Sequence, residues 1–225
     1  YANGGRAFAP PSSRVVGDRE AEESTQFEVG LKNGLLDERL NATLAFYRLK
    51  KDNIAIADES GIISQTGDQR SAGMEIEIAG RPGPNWHAFL TYAYIDAELT
   101  RFKQNVAVLT PGGIVFQVLD RSGNSPAFAP RHLLNFWTDV EFGNDVGIGG
   151  GMRYVGSQFV SEENLSKVDG VVTFDAMFTY NPVNWGWRLS FKNLTNRKYE
   201  TRGFGSFSVI PANPFAVYGS IALRL

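Results

Sequence analysis

The sequence contains few residues that could perform covalent chemistry. It has no cysteine, which excludes disulfides, thiolate metal sites and cysteine nucleophiles. Its two histidines, His87 and His132, are far apart in the chain, and a Gly-x-Ser-x-Gly motif is absent. The glycines from Gly147 to Gly151 do not fit the dinucleotide-binding pattern, because Met152 stands where the last glycine is required. The sequence predicts a protein that is not an enzyme and has neither a cofactor nor a metal site.

Charged side chains are the remaining candidates for a binding site. The pairs Asp58-Glu59 and Glu162-Glu163 lack the spaced oxygen ligands of a calcium loop, so we interpret them as solvated loop charges. A second set falls on the polar positions of predicted strands and comprises Glu75, Glu77, Arg153, Arg188 and Lys192. These residues could line a ligand pathway, but the pattern favours a simpler interpretation, in which they solvate an inner wall of the fold.

The charged positions belong to segments that alternate with the two-residue period of β-strands. In one of them Met74, Ile76 and Ile78 alternate with Glu75 and Glu77, which predicts one wet face. Nine such strands are predicted, at 25–32, 39–56, 70–79, 86–99, 134–142, 146–154, 172–180, 187–192 and 217–225. Most are about ten residues long, the length that crosses a bilayer at the tilt of barrel strands. A strand of the barrel type also explains the glycines, which would leave room on its inner face for an internal domain.

The connections between these strands alternate strictly in length. Short turns are predicted at 33–38, 80–85, 143–145 and 181–185, and long polar connections at 58–68, 100–130, 156–170 and 195–213. This alternation puts every short turn at one end of the sheet and every long loop at the other. Outer-membrane barrels are built in this way, with short periplasmic turns and long extracellular loops. A soluble β-sandwich has no reason to keep such a rule.

The composition agrees with a barrel and excludes nucleic acid as a partner. Aromatic residues make up 12% of the chain and 24 residues are glycine, while the formal net charge is −2 and the cations are scattered. No stretch approaches the ~20 apolar residues of a membrane-spanning helix. The first residues, Tyr1 to Gly5, lack the basic and apolar regions of a signal peptide. We therefore expect that export information has been removed or that the chain starts within a larger protein.

Six local strings, in sequence order, carry a family resemblance. They are Gly17 with Glu23-Ser24-x-x-Phe27-Glu28-Val29-Gly30-Leu31-Lys32, Ser71-Ala72-Gly73-Met74-Glu75-Ile76-Glu77, Leu90-Thr91-Tyr92-Ala93-Tyr94-Ile95-Asp96-Ala97, Ala129-Pro130-Arg131-His132, Gly149-Gly150-Gly151-Met152-Arg153-Tyr154-Val155-Gly156, and Phe191-Lys192-Asn193-Leu194-Thr195-Asn196-x-x-Tyr199. Together they resemble the C-terminal part of the barrel of TonB-dependent siderophore receptors, over about residues 17–225. Each string alone is weak, but six in the right order are specific.

The resemblance implies an all-β antiparallel meander that forms the C-terminal arc, about nine strands, of a large transmembrane β-barrel. Such receptors close with about 22 strands around a plugged lumen. We therefore expect a fragment, with residues 1–23 as an extracellular loop remnant without a tenth strand, residues 24–225 as the barrel segment, and no N-terminal plug. The sheet should be open, with unpaired edges at its first and last strands. Leu225 departs from the aromatic residue that usually ends such barrels.

The implied function is energy-coupled import of iron–siderophore complexes across the outer membrane of a Gram-negative bacterium. The implied partners are a ferric siderophore as transported ligand, a TonB-type energy-coupling protein that acts through the missing plug, and the lipid bilayer. One alternative is a receptor of the same architecture for another nutrient, such as cobalamin, haem or an oligosaccharide. Another is a non-coupled porin-like barrel, which an odd number of strands disfavours.

Ligand recognition would fall on loops and on the inner wall near the extracellular rim. Ferric siderophores are often anionic and carry apolar or aromatic parts, so arginine and aromatic side chains would suit them. The candidate ligand-binding residues on this argument are Tyr47, Arg101, Phe102, Arg121, Phe159, Arg202 and Phe204.

Overall fold

A computed structural model describes residues 1–11, 13, 15–17, 19–57, 63–204 and 208–223. Within these ranges the regular elements are β-strands: β1 (Ala2–Ala9), β2 (Glu22–Leu35), β3 (Leu40–Ala57), β4 (Ile63–Gly83), β5 (Trp86–Thr110), β6 (Gly113–Asp120), β7 (His132–Glu141), β8 (Val146–Val155), β9 (Gln158–Phe159), β10 (Lys167–Val168), β11 (Val171–Tyr180), β12 (Trp185–Lys192), β13 (Glu200–Phe204), β14 (Ser208–Pro211) and β15 (Ala216–Leu223). No helix in the described ranges is long and apolar enough to cross a membrane. The Asp58-Glu59 pair and Leu225 lie outside the described residues.

The main sheet is an antiparallel meander whose strand order follows the chain. Ten strands form one path, β1-β2-β3-β4-β5-β7-β8-β11-β12-β15, and β6 pairs with β5 beside that path. Each of the nine predicted strands is present, and the predicted fold class is confirmed. The predicted open sheet is confirmed as well, since the described strands leave β1 and β15 at the two ends of the path.

The expectation of no strand within residues 1–23 is wrong. Strand β1 pairs with β2 from Ala2 opposite Val29 to Ala9 opposite Glu22. The α-amino group of Tyr1 continues the ladder by donating to the carbonyl oxygen of Gly30 at 2.8 Å. Backbone hydrogen bonds hold this strand, whereas the prediction depended on apolar periodicity, which its glycines and alanines lack. The first edge of the described sheet is therefore β1 and not β2.

The long connections also contain more strand than the sequence predicted. Strands β5 and β6 form a hairpin that continues the sheet from Lys103 opposite Asp120 to Thr110 opposite Gly113. The connection predicted at 58–68 largely belongs to β4, which begins at Ile63. Two small hairpins, β9–β10 and β13–β14, lie in the next two connections. Strands β3, β4 and β5 therefore extend well beyond the length that crosses a bilayer.

The two faces of the sheet differ in chemistry, because directly opposed residues of antiparallel strands project to the same side. We call one face the outer face. It carries an apolar row in which each residue stands opposite the next on the neighbouring strand, across β5, β7, β8 and β11: Leu90, Phe136, Met152 and Phe174. The other face, called the inner face, carries Thr91, Asn135, Arg153 and Thr173 on the same four strands. Glu75 and Glu77 are exposed on the inner face, so the predicted wet side is confirmed.

The glycines of β8 have a reason other than the predicted room for an internal domain. A Cβ atom at Gly151 would lie 2.6 Å from the Trp137 ring, and one at Gly149 would lie 2.9 Å from it. Trp137 stands directly opposite Gly151 on β7. The space beside these glycines is therefore occupied by the indole of the neighbouring strand.

Candidate functional site

A continuous polar row crosses the inner face of the sheet. Its members are opposed pairwise on seven successive strands of the path: Lys32, Thr43, Glu77, Thr91, Asn135, Arg153 and Thr173. Asn135 donates from its side-chain amide to the Thr91 hydroxyl at 3.3 Å. The strand register places these side chains next to one another. The inner face therefore carries a continuous row of groups that can form hydrogen bonds, and not a few isolated charges.

A cleft of about 270 Å³ lies where the β8 and β11 end of this row meets the long connections. Its wall is formed by Arg153 and Thr173, and the connections 156–170 and 193–213 contribute its other polar groups. These groups are Gln158, Asp169, Tyr199, Glu200 and Thr201. Phe128, Leu133 and Val168 add apolar surface. We call this space the rim cleft.

Hydrogen bonds between the connections hold the rim cleft in shape. Gln158 donates from its side-chain amide to the Thr201 carbonyl at 3.0 Å, which joins two of them. Ser125 and Asn164 exchange two hydrogen bonds of 2.8 Å, which joins the segment before β7 to the β9–β10 hairpin. The Phe128 amide donates to the Phe159 carbonyl at 2.9 Å. Backbone and side-chain amide contacts thus fix the connections around the cleft, which itself stays open.

Asn193 fixes the connection that carries Tyr199 and Glu200. It adopts a left-handed conformation with φ of 52°, which asparagine tolerates better than most residues. Its side chain accepts from the Arg197 amide at 2.9 Å and donates to the carbonyls of Arg197 and Asn213 at 2.9 and 3.2 Å. The Asn-Leu-Thr-Asn string of the sequence is therefore a turn that bridges both ends of one connection.

The rim cleft suits the binding of a polar ligand by hydrogen bonds. A guanidinium offers several donors in a fixed fork, and the two carboxylates beside it accept from hydroxyl, amine or amide groups. Both histidines are engaged elsewhere: His87 contacts Asp139 at 2.8 Å and His132 contacts the Tyr92 hydroxyl at 2.9 Å. In the described part of the chain, three metal-ligating side chains do not come together.

Three of the predicted ligand-binding residues are engaged within the protein. Arg101 donates two hydrogen bonds to Asp68, at 2.7 and 2.9 Å, and this contact lowers the pKa of Asp68. Arg121 is only 8% exposed and donates to Glu163 at 2.8 Å. Phe102 packs in a small buried cluster with Ile56 and Leu99. These three residues lie where β3, β4 and β5 continue past the other strands of the main sheet and β5 pairs with β6, over residues 52–57, 63–70 and 99–121. We call this part the extension.

The other candidates lie at separate places. The Tyr47 hydroxyl is 3.4 Å from that of Ser71, and the Phe159 ring lies beneath the Lys167 ammonium, 4.4 Å away. Arg202 is in β13, and the Phe204 side chain lies outside the described part of the structure. None of the six candidates with described side chains lines the rim cleft. Their contact with ligand stays a prediction.

Sequence reasoning identified Arg153 as an inward-facing charge but missed its neighbours in the cleft. Gln158, Asp169 and Glu200 come from two connections whose path no local pattern specifies. One signal in the sequence was available. The string that begins at Phe191 ends at Tyr199, and it marks the start of the second connection, which contributes Tyr199 and Glu200 to the cleft.

Comparison with known proteins assigns the family. The family model described as "TonB dependent receptor-like, beta-barrel" matches residues 1–196. The chain is 28% identical over 188 residues to the probable TonB-dependent siderophore receptor PiuA of Acinetobacter baumannii, covering 83% of this chain and 25% of that protein. It is 29% identical over 236 residues to the metal-pseudopaline receptor CntO of Pseudomonas aeruginosa, covering 100% of this chain and 31% of CntO.

Solved structures show the same fold. The crystal structure of PiuA from Acinetobacter baumannii superimposes with a TM-score of 0.80 at 24% identity, covering 98% of this chain and 33% of that one. The receptor FpvA of Pseudomonas aeruginosa bound to pyoverdine gives 0.77 at 20% identity, covering 100% and 33%. The chain spans about a quarter to a third of the length of these relatives. It belongs to the TonB-dependent receptor β-barrel family, whose members are receptors and transporters of the Gram-negative outer membrane.

Proposed function

We propose that this chain is part of a receptor that imports iron–siderophore complexes across the outer membrane by energy coupling, and that it catalyses no covalent chemistry. The observation that carries the proposal is the rim cleft on the inner face, beneath the long connections. A ligand bound there would be reached from the extracellular side and would lie against the wall of the transport path. Relatives named as siderophore receptors support the choice of cargo.

The composition of the rim cleft narrows the kind of chelate that would fit. Arg153 would donate paired hydrogen bonds to an anionic oxygen of the ligand, such as a carboxylate or a catecholate. Asp169 and Glu200 lie in the same cleft and would repel a uniformly anionic chelate. A ligand that carries hydroxyl, amide or amine groups beside its anionic centre would bind both the donors of Arg153 and the carboxylates of Asp169 and Glu200.

The proposal includes a TonB-type partner that acts through a plug domain. The polar row would face that plug and supply hydrogen bonds that re-form as the plug moves, since its hydroxyls and amides can both donate and accept. Residues 24–225 would form the C-terminal segment of the barrel, with its strands and its long connections. Within residues 1–23, the part between β1 and β2 would be extracellular loop, because it lies at the same end as the other long connections.

The proposal is tested by uptake of iron-loaded siderophores in a strain that depends on this receptor at its natural length. Arg153→Gln should raise the concentration needed for half-maximal uptake at least tenfold, the loss expected for a charge-assisted pair. Arg188→Gln is the matched control, since Arg188 opposes Thr179 and Ser220 on the inner face, away from the cleft. Equal uptake by the two variants would contradict a ligand site at the rim cleft.

A second cargo is favoured by one observation. The match to the metal-pseudopaline receptor extends over the whole chain, at 29% identity. The cargo would then be a chelate of another transition metal. Growth assays distinguish these two cargoes when the iron chelate is replaced by the zinc or nickel chelate of the same ligand. An iron-specific receptor should restore growth with the iron form alone.

A further inference from the structure

The outer face changes from apolar to charged at a definite level. The row formed by Tyr92, Leu134, Tyr154 and Val172 still belongs to the apolar band. Farther toward the long connections Tyr94 opposes His132, and beyond them Asp96 lies on β5. From Trp86 to Tyr94 the tilted strand rises about 20 Å, close to the height of about 25 Å of the lipid-facing band in such barrels. The boundary between lipid and water therefore lies near Tyr94 and His132.

A recess of about 220 Å³ opens on the outer face at this boundary. His132 and Tyr154 line its strand side, while Arg131, Ser157, Phe159 and Lys167 come from the connections above. Two permanent cations, Arg131 and Lys167, thus line one recess at the boundary between lipid and water. We call this space the boundary recess.

The immediate surroundings of the two cations leave them able to bind an anion. Arg131 forms an ion pair with Asp96 in which the guanidinium and the carboxylate oxygen are 3.8 Å apart, too far for a hydrogen bond, and the Arg131 side chain is 66% exposed. Its hydrogen-bond donors are therefore not used by Asp96. The ammonium of Lys167 lies 4.4 Å from the centre of the Phe159 ring, a contact that uses no hydrogen-bond donor. His132 uses Nδ1 in its contact with Tyr92, so Nε2 is its remaining polar atom.

We infer that the boundary recess binds a phosphate group of a phosphorylated glycolipid in the outer leaflet. Arg131 supplies a two-donor fork and Lys167 a mobile ammonium, which together match the tetrahedral oxygens of a phosphate monoester. The site lies on the lipid-facing side, and the rings of Tyr92 and Tyr154 below it offer surface to sugar and acyl chains. The boundary recess and the rim cleft share Gly156 and Gln158, which come from the connection after β8. They differ in their strand residues: His132 and Tyr154 of the recess lie on the outer face, whereas Arg153 of the cleft lies on the inner face.

The experiment uses the natural-length receptor purified from outer membranes and native mass spectrometry with bisphosphorylated lipid A as probe. The Arg131→Gln/Lys167→Gln variant should retain at least tenfold less lipid A than wild type, because it removes two charge-assisted contacts. A Lys103→Gln/Lys198→Gln variant removes the same charge from other extracellular positions and should bind like wild type. Unheated gel migration checks that each variant is a folded barrel.

Two further arms separate a lipid site from other causes. Dephosphorylated lipid A should bind wild type about tenfold less, and millimolar inorganic phosphate should not displace the phosphorylated lipid. The Asp96→Asn variant should bind more lipid A, because the carboxylate nearest Arg131 is neutralised. Equal retention by both charge-matched variants, equal binding of dephosphorylated lipid, displacement by inorganic phosphate, or no gain in Asp96→Asn would each overturn the inference.

Discussion

The barrel wall, which is the part of the main sheet that carries the apolar outer face, shares β3, β4 and β5 with the extension, but the two regions are held by different forces. In the wall, each side chain is placed by register, and apolar residues such as Phe136 and Phe174 remain 38% and 41% exposed in the described structure. In the extension, Phe102 and Leu99 are 8% and 2% exposed and Arg121 is buried against Glu163. The wall is a single layer that relies on lipid, whereas the extension has its own small core and ion pairs. Substitutions should therefore act on assembly in the wall and on local order in the extension.

The largest effect is expected from Gly151→Val in the wall. A Cβ there would lie 2.6 Å from the Trp137 ring and still closer to the backbone carbonyl of Phe136, which cannot move without breaking the ladder. Overpacking of this kind costs about 3 kcal/mol. The fraction of folded receptor in outer membranes, measured by unheated gel migration, should fall severalfold.

The control for this change is Gly150→Val in the same strand. Its Cβ would have its nearest neighbour at 3.6 Å, an ordinary contact. A similar loss for Gly150→Val would show that the strand rejects side chains in general and that Trp137 is not the reason.

A smaller and local effect is expected from Arg121→Gln in the extension. It removes the cation from a pair with a 2.8 Å contact in which the arginine side chain is 9% exposed and the glutamate 32%. Because one partner is partly solvated, the cost should be about 2 kcal/mol rather than that of a fully buried pair. Hydrogen exchange should accelerate in 121–131 and 156–168 while β7 and β8 keep their protection. Lys103→Gln, which removes an exposed cation, should leave hydrogen exchange unchanged both in these segments and in β7 and β8. Faster exchange in β7 of Arg121→Gln would contradict the separation of the wall from the extension.

Asn193→Ala tests the turn that joins wall and rim. It deletes three hydrogen bonds and leaves alanine in a left-handed conformation, which together cost about 1 to 2 kcal/mol. Proteolysis within 194–212 should become faster, with folded yield nearly unchanged. Asn193→Asp keeps the acceptor and should show a weaker effect; equal sensitivity of the two variants would mean that the donor contacts alone hold the turn.

The smallest effect concerns the pH dependence of the extension. The hydrogen bond from Arg101 lowers the pKa of Asp68, so the stabilisation is fully present above the ordinary aspartate value of about 4 and is lost as the pH falls through the lowered pKa. Since the Arg101 side chain is 46% exposed, the contribution should stay below about 1 kcal/mol.

Hydrogen exchange of 63–70 and 99–110, measured from neutral pH down to pH about 3, checks this expectation. Asp68→Asn should abolish the dependence, whereas Asp37→Asn, in the turn between β2 and β3, should leave it intact. An unchanged pH profile in Asp68→Asn would assign the dependence to another group.

The wall was predictable from the sequence, and the rim was not. Register forces every second residue to one side, so Met74, Ile76 and Ile78 disclosed both the strand and its two faces. The sequence did not predict strand β1, because backbone hydrogen bonds need no apolar pattern and Gly4 and Gly5 interrupt any such pattern in this segment. The sequence did not predict the rim cleft either, for a different reason. Its polar groups meet through contacts between connections, such as that of Gln158 with Thr201, and such contacts have no fixed spacing in the sequence.

The outer face has a consequence for how freely the sequence can change. Lipid is a liquid, so it adapts to whatever apolar shape it meets, unlike a protein interior that must interlock. Leu90, Met152 and Phe174 should therefore exchange with other apolar residues of any shape at little cost, whereas Gly151 and Trp137 must change together. Homologues of this chain should drift quickly on the side that touches lipid and co-vary in pairs on the side that does not.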